Sequence, residues 1–224
     1  MRDKTIVITG AFGALGSATS KLATTRGAQV AGLDLSTGSV ADTAHILAIA
    51  VDLTDVEATM QAMESVASRT GRIDALLNIA GGFVWEKFAT GNLDTWDRMY
   101  ALNLKTAVTA SRAALPFLIE SHGAIVNVGA AGAVKAAAGL AAYAASKQGV
   151  MKLTESLADE LKGKVRVNAV LPSIFDTPQN RADMPNSDYS KWVQAEELAK
   201  AILFLASDEA SAITGALIPV TGQA

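Results

Sequence analysis

The chain has 224 residues, with 19 Lys plus Arg against 22 Asp plus Glu and a formal net charge of −3. That length fits one domain, 1–224, and the charge gives no electrostatic case for nucleic acid or an anionic membrane. With no cysteine, disulfides, thiolate metal sites and Cys nucleophiles are excluded, and no run of about 20 uncharged apolar residues is available to span a membrane.

In chain order, short apolar runs alternate with helical patterns, the signature of a parallel sheet covered on both faces. Strand one is expected at Thr5–Thr9, leading into Gly10-Ala-Phe-Gly-Ala-Leu-Gly16 and a helix to about Arg26, with Gly27 as its stop. Strand two covers Gln29–Leu33 and ends at Asp34. Ser36–Thr43 is too short for a full crossover helix before strand three at Ile46–Val51. Asp52-Leu-Thr-Asp55 caps a helix to about Thr70. Strand four, Ile73–Leu77, runs into Asn78-Ile-Ala-Gly-Gly82.

A long helical region is expected over Leu93–Glu120, kinked at Pro116. Strand five is Ala124–Val128. A Gly/Ala loop then leads to a helix carrying Tyr143 and the stripe Val150, Leu153, Leu157 and Leu161. Strand six is Val165–Leu171. Pro172–Trp192 reads as irregular, and Ala195–Ala206 and Ala216–Val220 supply the last helix and strand. The expected fold is α/β: a Rossmann-type, doubly wound, parallel seven-stranded sheet in a single domain, with ligand outside the carboxyl ends of the strands. The two histidines, His45 and His122, have no ligand spacing, so no metal site is expected.

Three features carry chemistry. The glycine run after strand one allows a tight turn and close approach of a pyrophosphate to helix N–H groups. Asp34, 24 positions after Gly10, can accept both ribose hydroxyls and repels a 2′-phosphate. Neither the loop nor the residues just after Asp34 hold Arg or Lys, so NAD(H) is expected over NADP(H). Tyr143 and Lys147 stand four apart on one helical face. An ammonium beside a phenol favours phenolate and lowers its pKa, fitting the Tyr for proton transfer.

On these residues the chain resembles the short-chain dehydrogenase/reductase family over nearly its whole length. The resemblance implies a hydride-transfer oxidoreductase. Thr9-Gly-Ala-Phe-Gly-Ala-Leu-Gly16 resembles the cofactor loop TGxxxGxG, making Gly10, Phe12, Gly13, Ala14, Leu15 and Gly16 cofactor-binding, with Ala14 in place of the middle glycine. Asp52 and Leu53 resemble the pair that meets the adenine, and Asn78, Ala80 and Gly81 stand in the NAG motif. Asn103 matches the helix Asn that holds a proton-relay water. Tyr143 and Lys147 match YxxxK, catalytic and cofactor-binding at once. Pro172 and Thr177 match the ends of PGxxxT, whose Thr faces the nicotinamide amide; Ser173 replaces its Gly.

One departure is chemical. The family places a substrate-binding Ser about 13 residues before the Tyr; here that position is Ala130, and 129–142 hold no Ser or Thr. Either the substrate does without that donor, or the protein is a cofactor binder with weak or no catalysis. Leu171-Pro-Ser-Ile-Phe-Asp-Thr-Pro-Gln-Asn-Arg181, Met184-Pro185 and Ser190-Lys-Trp192 resemble the same region of dihydropteridine reductases, which lack the Ser and reduce a planar conjugated ring. An alcohol/carbonyl (3-oxoacyl-type) dehydrogenase is the alternative.

Trp85, Met184, Tyr189 and Trp192, beside Ala130, are candidate walls of a pocket for a small planar molecule; Tyr189 and Trp192 equally fit pinning the segment 178–194, a candidate lid. Arg181 reads as lid anchor or substrate contact. The family resemblance implies a homodimer or homotetramer, and the absence of cysteine suits a reducing, cytoplasmic setting.

Overall fold

A computed structural model describes residues 1–36 and 46–222. Seven parallel strands form one sheet in the order β3-β2-β1-β4-β5-β6-β7. They are β1 (Thr5–Thr9), β2 (Gln29–Asp34), β3 (Ile46–Ala50), β4 (Ala75–Asn78), β5 (Ala124–Val128), β6 (Arg166–Pro172) and β7 (Leu217–Val220). The order reverses between β1 and β4, so their carboxyl ends diverge and open a crevice there. The expected doubly wound fold is what the chain adopts. The short connection expected at Ser36–Thr43 lies almost wholly outside the described residues.

Alternate residues of each strand feed opposite layers, as the two-residue period requires. Ile6 and Ile8 pack under α1 (Ala14–Thr25) and α8 (Ala195–Ala206), with Leu198, Ile202 and Leu203. Val7 faces the other layer, built by α2 (Val56–Thr70), α4 (Thr106–Ser121) and α6 (Ala141–Glu160), with Met63, Val66 and Leu118. Each such fully buried aliphatic stabilises by about 1.5–3 kcal/mol.

Three expectations need correction. The long helix starts as α3 (Asp94–Met99) and widens into a π-helical segment, Tyr100–Lys105, before α4. The break in α-helical bonding therefore falls at 100–105, and α4 continues through Pro116. Proline removes an N–H that would bond the Arg112 carbonyl, but both residues lie on the exposed face, where solvent can satisfy that carbonyl. The stretch expected to be irregular contains α7 (Pro178–Asp183) and a 3₁₀ turn, Tyr189–Lys191. A four-residue helix, α5 (Ala131–Val134), also interrupts the Gly/Ala loop.

Candidate active site

A cleft of about 790 Å³ opens over the carboxyl ends of β1, β2 and β4. Gly10, Phe12, Gly13, Ala14, Leu15, Gly16, Asp34, Asp52, Leu53, Ala80 and Gly81 all line it. The loop after β1 closes tightly although Ala14 replaces a glycine. Gly13 N donates to Gly10 O at 3.2 Å, and α1 begins at Ala14 with its first backbone bond from Ser17 N. No side chain caps this end, so the N–H groups of its first turn face the cleft as an anion site. The glycines that matter are the outer two. A Cβ on Gly16 would lie 2.0 Å from Gly10 O, and one on Gly10, at φ +63°, 2.8 Å from Ala80 Cα.

Asp34 is held at the β2 end of the cleft. Its Oδ2 accepts Phe12 N at 3.1 Å and its Oδ1 accepts Leu35 N at 2.8 Å. Each oxygen keeps a lone pair for a ribose hydroxyl. The Phe12 ring lies over Gly32, whose missing Cβ would sit 3.3 Å from Phe12 Cζ. Together the free helix N-terminus, the tight turn that Gly10 and Gly16 permit and this fixed carboxylate fit a dinucleotide.

Three backbone or side-chain supports were not visible in sequence. Thr9 Oγ1 accepts both Ile79 N and Ala80 N at 3.1 Å, setting the loop after β4. Arg98 and Phe175 also line the cleft. Arg98 falls five residues before Asn103, a spacing with a face in common only once the π turn is known. Asn78, placed with the NAG motif, instead lies buried in a polar chain: its Nδ2 donates to Ser111 Oγ at 3.0 Å and Asn127 Oδ1 at 2.8 Å.

Asn103, Gly81 and Lys147 converge at the inner end of the cleft. A Cβ on Gly81 would sit 2.6 Å from Asn103 Oδ1 and 3.2 Å from Lys147 Nζ. Lys147 is buried, and its Nζ donates to Val128 O at 2.8 Å. Burial pushes the Lys147 ammonium down to about 8 and the Tyr143 phenol up to about 12. This is opposite to the direction expected for Tyr143: burial alone acts on the phenol, which holds its proton at neutral pH and is suited to give it. Phe83 meets Tyr143 edge to face, with centroids 4.9 Å apart at 79°. Ala130 is buried in an apolar cluster with Ala133, Ala144, Met151 and Leu171, against which Tyr143 packs.

The proposed walls separate. Trp85 Nε1 donates to Ala138 O at 3.1 Å, joining the loops after β4 and β5. Tyr189 and Trp192 pack on each other with centroids 4.7 Å apart. Trp192 is 6% exposed, so it offers substrate little surface, a correction to its place as a wall. Met184 is the half-buried C-cap of α7. Pro172 closes β6, and Thr177 Oγ1 accepts Asn180 N at 3.0 Å as N-cap of α7.

A doubly wound parallel sheet with this glycine-lined crevice defines a dinucleotide-binding fold. The model of the short chain dehydrogenases matches residues 4–188. Meso-2,3-butanediol dehydrogenase of Serratia marcescens is 35% identical over 237 residues, covering 99% of this chain and 94% of that one. The 3-oxoacyl-[acyl-carrier-protein] reductase of Thermotoga maritima is 33% identical over 240 residues, covering 99% and 98%. Among solved structures, ligand-free aldohexose dehydrogenase of Thermoplasma acidophilum superposes with a TM-score of 0.91 at 30% identity, covering 99% of this chain and 94% of that one. A 3-ketoacyl-(acyl-carrier-protein) reductase from Brucella melitensis, complexed with NADH, gives 0.87 at 29%, covering 99% and 98%. The chain belongs to the short-chain dehydrogenase/reductase family and is an oxidoreductase of that type. Members of this family use NAD(P)(H). Among the described residues, no helix is long and apolar enough to cross a membrane.

Proposed function

We propose that the protein is an NAD(H)-dependent reductase of a planar, conjugated small molecule such as a quinonoid dihydropterin. The observation that carries this is Ala130: an apolar, buried side chain stands beside Tyr143 where a carbonyl reductase needs a second hydroxyl donor. In a conjugated ring the incoming electron pair spreads away from the attacked carbon, so no localised alkoxide has to be stabilised there. Bound NADH would supply the hydride. Tyr143 gives its proton to the ring heteroatom on which the negative charge emerges. Lys147 then faces the resulting phenolate and stabilises it. Asn103 holds a relay water from the widened turn of its helix, its side-chain amide being committed to Gly82 and Ser146.

Asp34 supports the preference for NAD(H), since its fixed carboxylate would face a 2′-phosphate. The segment 178–194 acts as a wall over the nicotinamide, and the working assembly is a homodimer or homotetramer in a reducing, cytoplasmic setting. A second reading, oxidation of an alcohol or reduction of a ketone, is favoured by the named activities of the relatives in Serratia and Thermotoga. Steady-state assays with quinonoid dihydropterin and with a ketone panel, each with NADH and NADPH, separate them. Ketone turnover at ordinary rates with none on the pterin would overturn the first reading; tighter binding of NADPH would overturn the role given to Asp34. NADH binding with no turnover on any substrate would leave a cofactor-binding protein.

A further inference from the structure

The chain leaves β6 at Pro172 and returns to the body at Val193. Between these points it is tied to itself in a closed circuit. Phe175 and Val193 form a parallel bridge, and Asp176 N donates to Val193 O at 2.8 Å. The Asp176 carboxylate takes both Nε and Nη2 of Arg181, each at 2.6 Å. The guanidinium lies over the Tyr189 ring, 4.7 Å from its centroid, while Tyr189 Oη donates to Arg181 O at 3.2 Å. Tyr189 packs on buried Trp192, which adjoins Val193.

Inside the circuit sit Phe175, which lines the cofactor cleft, and Thr177. Asn180 holds both: its Nδ2 donates to Phe175 O at 2.8 Å and its backbone N–H to Thr177 Oγ1. The Thr177 hydroxyl accepts that bond and so keeps its own proton to donate elsewhere. Phe175 and Thr177 follow β6, across β1, β4 and β5 from Asp34 on β2. If Asp34 marks the adenosine ribose, these two mark the opposite, nicotinamide end.

We propose that Asp176, Arg181 and Tyr189 form a clasp that positions the nicotinamide end of the cofactor site, acting through Phe175 and Thr177. This rests on the reading of the cleft as a dinucleotide site. An ion pair whose Arg is half exposed adds little to global stability, so a stability role alone gives no reason for a bidentate fork that also stacks on an aromatic. What the fork supplies is direction: a flat, two-point contact fixes where α7 starts, and α7 starts at Thr177. A wall held in place before cofactor arrives saves the ordering entropy that a floppy segment would lose on binding. Arg181 is thereby an anchor within the wall.

The test uses the full chain and two probes, NADH and ADP-ribose, which lacks the nicotinamide. Their affinities are measured for the unmodified protein and for Asp176→Asn, Arg181→Gln, Arg181→Lys and Tyr189→Leu, with melting temperatures alongside. The expected result is NADH binding weakened by about 10-fold in Arg181→Gln and Asp176→Asn, with ADP-ribose within about 2-fold of the unmodified protein. Arg181→Lys, which keeps the charge and loses the fork, serves if Arg181→Gln does not fold, and should also lose NADH affinity selectively. Equal losses for both probes, or unchanged NADH affinity in both Arg181 variants, would overturn the clasp. A higher substrate KM at unchanged NADH affinity would make Arg181 a substrate contact instead. An unmodified protein that binds neither probe would overturn the cofactor reading itself.

Discussion

The side-chain amide of Asn103 and the backbone of Gly82 bond each other in both directions: Oδ1 accepts Gly82 N at 2.9 Å, and Nδ2 donates to Gly82 O at 3.1 Å. The same Nδ2 reaches Ser146 Oγ at 3.0 Å, and Ser146 in turn donates to Tyr143 O. One buried amide thus ties the loop after β4 to the helix that carries the phenol.

Asn103→Ala should break that tie and leave buried polar groups unpaired. A loss of about 1–3 kcal/mol in stability is expected, with kcat falling further than the affinity for NADH. Chemical denaturation and steady-state kinetics on one preparation check both. A variant that melts earlier but turns over normally would confine Asn103 to structure.

Lys147 should make stability depend on pH in a distinctive direction. Its pKa falls from 10.5 to about 8 on folding. Between those values the unfolded chain holds more proton than the folded one, so stability rises with pH across the window. The full gain is on the order of 3 kcal/mol. Lys147→Met should lack this rise. Tyr143 acts oppositely and higher, its pKa rising from 10.0 to about 12, so denaturation midpoints are compared from pH 7 to pH 10 only. A parallel pH profile in both proteins would contradict the buried, destabilised ammonium.

Ala130→Ser places a hydroxyl in the cluster of Ala133, Met151 and Leu171. A stability loss of about 1–3 kcal/mol is expected unless the hydroxyl finds a partner. On ketones the new donor should raise kcat, by up to roughly 10²-fold; on a quinonoid ring it should change little. Ketone turnover that is already ordinary and indifferent to the substitution would remove the argument from the missing hydroxyl.

Gly16→Ala and Gly13→Ala should differ sharply. The first drives a methyl to 2.0 Å from Gly10 O, whereas the second meets its nearest neighbour at 3.5 Å. NADH affinity should collapse for Gly16→Ala and change little for Gly13→Ala, as titration calorimetry would show. Equal tolerance would mean the loop rearranges freely.

Much of this was legible in the chain because strands and caps follow from local chemistry. β1 and β5 begin and end where their apolar runs do, and α8 spans Ala195–Ala206 as its pattern implied. Other features depend on partners remote in sequence. The apolar run suggests strand four from Ile73, but Asp74 turns its carboxylate to Thr5 N, and pairing starts at Ala75. The π segment contains neither Gly nor Pro to announce it. The rise in the Tyr143 pKa follows from burial that no local spacing reveals, and the clasp around Arg181 needs residues from 176 to 192 brought into one place.

Gly139, at φ +82°, lies so close beneath the Trp85 indole that a Cβ would fall 2.2 Å from Nε1. The indole rests on bare main chain, and its position is set by the lack of one methyl group. Any other residue at 139 must lift Trp85 away, reshaping the junction between the loops after β4 and β5, at which Tyr143, Lys147 and Asn103 contribute no atom to the Trp85–Ala138 bond. If Trp85 borders the substrate, one substitution at 139 retunes selectivity without altering any residue proposed to move the proton.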